Sequence, residues 1–265
     1  MTKLFYLIVV LFFFSTIGCK KKEACIYQNA LEAADKYIYP VKPGTDAWNA
    51  AMLLSDSSVG QRHPLDPMYK ICQVPTTQLQ SMSTLGLIQS LEDNPCMTNI
   101  LLRYNWFQGR NEVLPRLNVS WALNKRANAG ISIMEYYISK DPNIIACMNT
   151  PFEKGGYSVK WYLFDMICTQ DSIINQLDIV AKKRFAKIVL EKYHIKLKYP
   201  ETYGLFTPTM LILSQLMIIS DYRPYIAALQ NDLDLSTFAE TSLVFSDYRV
   251  IYNKIITLAQ QFSKS

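Results

Sequence analysis

Apolar residues recur every three to four positions through most of this chain, and a proline or a polar turn breaks the pattern before any run grows long. Leu123, Ala127, Ile131, Met134 and Ile138 form one stripe, Ile174, Leu177, Ala181, Phe185 and Ile188 a second, and Ile251, Ile255, Leu258 and Phe262 a third. At 3.6 residues per turn such positions share one side of a helix, which must then be buried against another element. No convincing period-two alternation competes with them. The expected class is all-α, as stacked antiparallel helix pairs in an irregular bundle or a loose α-solenoid, without a clear repeat of about 33 to 47 residues. Half of the residues are apolar and 18% are charged, which describes a packed core rather than disorder.

The expected segments follow from these stripes and their punctuation. Glu23 to Tyr39 has helical spacing and ends at Pro40; the tract Tyr39 to Thr45, with Pro40, Pro43 and Gly44, cannot be helical. A short helix then carries Trp48, Met52 and Leu53. Ser83–Thr84 caps a helix bearing Leu85, Ile88 and Leu91, and Asn94–Pro95 ends it. Thr98 to Tyr104 and Trp106 to Leu117 are short helices, and Trp121 to Ile138 is a longer one. Asp141 to Met148 is short and helical, Pro151 to Ser158 reads as a loop around Gly155–Gly156, and Val159 to Cys168 is a helix or a strand. Ser172 to Tyr193 is expected to be the longest helix, with Lys182, Lys183 and Lys187 opposite its apolar stripe. Met210 to Ile219, the most apolar segment of this part of the chain, is too short at ten residues to cross a bilayer and is expected at the centre of the core. Ser236–Thr237 and Asp247 open the last two helices.

The N-terminus follows a different logic. Lys3, the eleven apolar residues Leu4 to Phe14, and the small-residue approach Ser15 to Gly18 lead to Cys19. A positive start, a short apolar run and a small-residue site describe a secretory signal, since a spanning helix needs about 20 apolar residues. With Cys19 directly behind, the stretch resembles the lipobox of bacterial lipoproteins, although Thr16 stands where that family usually has leucine. The resemblance implies cleavage before Cys19, acylation of that cysteine and attachment to a membrane. Residues 1–18 would be the signal, 19–24 the tether and 25–265 one helical domain, with a possible internal boundary near 151–158. Lys20 after the cysteine favours the outer membrane of the cell envelope over the inner.

A second resemblance covers about the first half of the mature chain. YPVKPGTDAW (Tyr39 to Trp48), QVPTTQLQSMSTLGL (Gln73 to Leu87), Asn105 with Gln108–Gly109, and RANAGISIMEYY (Arg126 to Tyr137) resemble a family of secreted or lipid-anchored helical bacterial proteins with no assigned activity. It implies an extracytoplasmic location and a helical fold, and it supplies no catalytic residue.

Chemistry leaves few marks. There is no GxSxG, HExxH, SxxK, P-loop or GxGxxG pattern. His63 sits in a polar loop and His194 ends a basic helix, where a cation suits the helix dipole. Asp232 and Asp234 form a DxD read as a solvated turn, and Lys182–Lys183–Arg184 as a solvated face. Beyond Cys19 five cysteines remain, Cys25, Cys72, Cys96, Cys147 and Cys168, without CxxC spacing; buried thiols are expected for most, with one bridge as the alternative. Without Lys3 the charged side chains are 26 basic against 22 acidic, a mild surplus on an exported chain that argues against nucleic acid. The aromatic residues offer the best binding candidates: Tyr39 and Trp48 around the rigid tract, and Trp106 with Gln108. Catalytic residues, metal ligands and cofactors are not indicated. The leading expectation is a non-catalytic binding or interaction protein, held to its membrane through acylated Cys19 and engaging a protein or a glycan. An envelope glycan- or peptide-processing enzyme and a lipoprotein immunity factor are the alternatives.

Overall fold

The structure, a computed structural model, describes residues 31–56, 67–204 and 206–265. Among these residues the chain is all-α, with fourteen α-helices, three 3-10 segments and no strand. The lipobox, Cys25 and His63 lie outside the described residues.

The first helices are short: α1 (Asp46–Asp56), α2 (Pro67–Ile71), α3 (Thr76–Ser81) and α4 (Thr84–Glu92). Ser83 caps α4 by accepting from the Gly86 N–H, and every α4 residue from Gly86 to Glu92 is buried. A 3-10 segment (Pro95–Leu102) leads to α5 (Trp106–Val113), a second (Leu114–Arg116) to α6 (Asn118–Asn124), and α7 (Ala129–Ser139) follows. Both α6 and α7 pack on α4. A third 3-10 segment (Pro142–Cys147) precedes α8 (Pro151–Cys168), α9 (Asp171–Ile174), α10 (Ile179–Lys196), α11 (Thr207–Ile219), α12 (Arg223–Asn231), α13 (Leu233–Thr241) and α14 (Tyr248–Phe262).

Helix α11 is the centre. Pro208 to Met217 are all buried, and α8, α9, α10, α12 and α14 pack around it. A helix apolar on every side has no face to offer water, so it recruits neighbours all round. Each Leu, Ile or Met so buried contributes roughly 1.5–3 kcal/mol over the exposed state. The expected stripe of the last helix also holds: Ile251, Ile255 and Phe262 are buried and Leu258 half-buried.

Five expectations are overturned. Of the expected helix Glu23 to Tyr39, residues 23–30 lie outside the described residues, and residues 31–39 form no helix; they run across α4 as a strap. Every second residue finds a partner there: Gln89 Nε2 donates to the Leu31 carbonyl, the Ala33 N–H to Gln89, the Tyr37 N–H to Ser90 Oγ, and the Tyr39 hydroxyl to the Ser90 carbonyl. Asp35 accepts from the N–H and hydroxyl of Ser83. Gly86 makes the close approach possible, because a Cβ there would stand 2.3 Å from Asp35 Oδ1.

The expected helix Trp121 to Ile138 is split at residues 125–128. Arg126 turns its guanidinium to the Leu79 and Met82 carbonyls at the end of α3, and Ala127 is left exposed. Pro151 to Ser158 is the first half of α8, not a loop. Thr150 and Glu153 form a reciprocal capping box with Pro151 at the first position, and nothing lies within 4 Å of a Cβ at Gly155 or Gly156, so the glycines are merely tolerated. Ser172 to Tyr193 is divided between α9 and α10, because Asp178 caps a new helix by accepting from the Ala181 N–H. Asp232, rather than Ser236–Thr237, caps α13 and pairs with Lys254.

Among the cysteines, Cys72 and Cys96 form a disulfide while Cys168 is a buried thiol. The bridge ties the end of α2 to the 3-10 segment. Beside it Asn94 donates to Tyr39 and to the Cys72 carbonyl, and accepts from the Cys96 N–H. No helix among the described residues is long and apolar enough to cross a membrane.

Candidate functional site

The four aromatic and amide candidates do not converge. Tyr39 is buried, its hydroxyl held between Ser90 and Asn94, and burial pushes its ionisation well above the ordinary range. Trp48 is also buried, because α1 packs on α2 with Trp48 and Ala51 turned inward. Trp106 is half-buried with its ring edge-on to Tyr162, and its backbone N–H donates to the Ser242 hydroxyl. Gln108 spans one helical turn to Glu112, which in turn pairs with Arg103. Tyr39 and Trp48 are thus core residues, whereas Trp106 and Gln108 are half-buried, and the four do not line one site.

The tryptophan that meets solvent is Trp121, 60% exposed in the middle of α6. Lys125, one turn on, lays its ammonium 3.4 Å from the ring centroid. Trp121 borders a groove of about 370 Å³ closed by Arg110, Leu114 and Pro115 on one side and by residues 170–172 on the other. The polar groups inside are linked to one another. Ser172 Oγ donates to Asn124 Oδ1, Asn124 Nδ2 donates to Gln170 Oε1, and Gln170 Nε2 donates to the Ile167 carbonyl. Arg110 donates to the carbonyl and hydroxyl of Thr169 through Nη1 and to Asn111 through Nε. Burial lowers the Arg110 pKa, and the nearby Asp171 charge acts against that. Side chains bound in this way lose little further freedom on meeting a ligand.

A second concavity of about 200 Å³ lies beneath the strap, on the α4 side. Asp93 takes Lys36 at 3.0 Å and Lys160 at 2.7 Å, while Glu92 takes Lys140 and the Tyr136 hydroxyl. Burial pushes Asp93 up, but Lys160 and Lys36 together outweigh it and hold its carboxyl below the ordinary value. Each of these two carboxylates is already matched by cations, so the cleft is a structural ion network.

Deeper still, Lys196 and Asp165 form a fully buried ion pair at 2.9 Å, joined by Thr209 and covered by the Trp161 ring. Burial pushes the Lys196 ammonium down and Asp165 counters it. The same burial drives the Tyr137 hydroxyl and the Cys168 thiol far above their ordinary values. None of the described cavities opens onto this pair.

His194 is exposed beside Tyr193 near the end of α10, and no described carboxylate pairs with it. Among the described residues no group of His, Cys, Asp and Glu could hold a metal ion. What reasoning from sequence missed is the position of Trp121. The signal was present in its neighbours: Asn124 at i+3 and Lys125 at i+4 are polar, which marks the face of α6 that turns to water. The partners across the groove, residues 170–172, carry no local sign of it. Compared with family models, curated proteins and solved structures, the chain has no match.

Proposed function

We propose that this is a lipid-anchored binding protein of the bacterial cell envelope, attached through acylated Cys19, which engages its ligand at the Trp121 groove and performs no catalysis. The carrying observation is the exposed Trp121 ring set beside the linked chain Ser172, Asn124 and Gln170. A large aromatic side chain in water beside fixed polar groups is the composition of a recognition surface. The export signal read in residues 1–19 supports the location, and the Cys72–Cys96 bridge fits an oxidising compartment. The described ionisable clusters, being internally matched or buried, offer no activated nucleophile or base beside a groove.

Two measurements test the reading. The full-length chain is expected in the membrane fraction and to carry acyl chains, and Cys19→Ser is expected to release it. Capture from envelope extract by the Cys19→Ser chain is expected to weaken at least about tenfold on Trp121→Ala. Capture unaffected by that change overturns the groove as the binding surface, and an unacylated chain overturns the anchor.

A further inference from the structure

We infer that the Trp121 groove is a subsite for an uncharged carbohydrate, one or two sugar rings of an envelope or environmental glycan; this rests on the groove being the binding surface. Lys125 lies over one face, yet Trp121 is still 60% exposed and lines the groove, which leaves ring surface for a ligand to meet. The negative π-face of an indole attracts the polarised C–H bonds that line one side of a pyranose.

The surrounding groups match hydroxyls. After their internal bonds, Asn124 and Gln170 each retain an amide hydrogen, and Arg110 Nη2 has no described partner. Asp171 and Asn111 add acceptors at the rim. Neighbouring sugar hydroxyls donate and accept at once, so a mixed row of amides, a guanidinium and a carboxylate satisfies them. The Asp171 carboxylate lines the same groove as Arg110 and would repel an anionic ligand seated there. An amphipathic helix would need a continuous apolar floor, whereas Leu114 and Pro115 are the only aliphatic side chains lining the groove. Its volume of about 370 Å³ is at the lower end for a ligand pocket and suits one or two rings.

The test uses the Cys19→Ser chain against a panel of soluble oligosaccharides that includes an N-acetylglucosamine trimer, maltotriose, cellotriose and a sialylated trisaccharide, read by calorimetry and by indole fluorescence. At least one neutral sugar is expected to bind with a Kd between about 10 μM and a few mM. Trp121→Ala is expected to weaken it at least about tenfold, Trp121→Phe only a few-fold, and Asn124→Ala about three- to tenfold. Because Trp121 is exposed, its substitutions should leave the circular dichroism and the Tm unchanged, which separates lost binding from lost fold.

Binding of the sialylated sugar alone, abolished by Arg110→Gln and indifferent to Trp121→Ala, overturns the inference. So does silence across the panel. In that case, loss of protein capture by Trp121→Ala leaves the groove as a protein-binding site, and unchanged capture removes the groove reading as well.

Discussion

The two halves of this molecule reach the same all-α class by different means. From Leu31 to Asn118 the elements are short, and side chains bond directly to the backbone of remote segments. Gln73 and Asn118 illustrate it: Asn118 accepts from the Val74 N–H and donates to its carbonyl, while Gln73 accepts from the Asn118 N–H and donates to the Arg116 carbonyl. From Pro151 to Phe262 long helices instead close around α11 chiefly through apolar surface, into which polar contacts such as the Lys196–Asp165 pair, the Tyr225–Ser214 bond and the Tyr203 bond to the Pro142 carbonyl are set. In the first half geometry is specified by a few amides and a bridge; in the second it is specified by volume. The first half should therefore fail residue by residue, and the second as a unit.

The largest break is expected in the second half. Lys196→Met strands Asp165 as a buried lone charge and should cost about 3–5 kcal/mol in urea unfolding. The double change Lys196→Met with Asp165→Leu should recover most of that loss. A double variant as unstable as the single one would show that packing around Lys196, not charge, is at stake.

Next in size is the bridge of the first half. Cys72→Ser with Cys96→Ser opens a loop of sequence separation 24 and should cost about 3 kcal/mol. Dithiothreitol should reproduce it in the parent chain, with amide exchange rising in α2, α3 and the 95–102 segment before it rises in α11. Simultaneous loss of protection in both halves would mean that the two halves unfold as one unit.

A smaller effect, about 1–3 kcal/mol, is expected for Asn118→Ala, which leaves the Val74 N–H and carbonyl without partners. Equal sensitivity of an exposed amide such as Asn231 to the same change would mean that the reciprocal bonding contributes nothing special.

These contrasts also explain what could be read in advance. Where an apolar stripe meets a uniform apolar surround, sequence and structure agree: α11 and α14, with Asp247 as the cap, lie where the periodicity puts them. The strap, the split at Arg126 and the Cys72–Cys96 bridge each depend on partners 24 or more residues away. Gly155–Gly156 misled because glycine signals a turn only where nothing stronger acts, and the Thr150–Glu153 box is stronger. The candidate site was half legible. Trp121 with Asn124 and Lys125 showed a polar helix face, but Gln170 and Ser172 reach the groove only through the docking of α9.

The smallest effect concerns pH. Asp93 is held below its ordinary value by Lys160 and Lys36, with Glu92 and Glu32 lining the same cleft. A depressed carboxylate adds stability above the unfolded-state pKa near 3.9, and that stability is lost as pH falls through the lower folded value. Asp93→Asn should therefore make the chain slightly less stable at pH 7 and flatten its stability curve below about pH 4. Because Lys160 is half exposed, the difference should be under about 1 kcal/mol. An unchanged acid limb would remove Asp93 from the account.

The strap acquires a mechanical meaning once the proposed anchor is considered. Under the proposed anchor, a pull passed along the chain to Leu31 would meet successive contacts at Leu31, Ala33, Asp35, Tyr37 and Tyr39 before it reached Pro40. The force is delivered to α4, whose inner residues are buried and braced by α6, α7 and α8. The slender helix α1 lies beyond that point and is spared. With such an anchor the strap would act as a strain relief, passing drag on the body to α4 and its braces before it could reach the groove at Trp121.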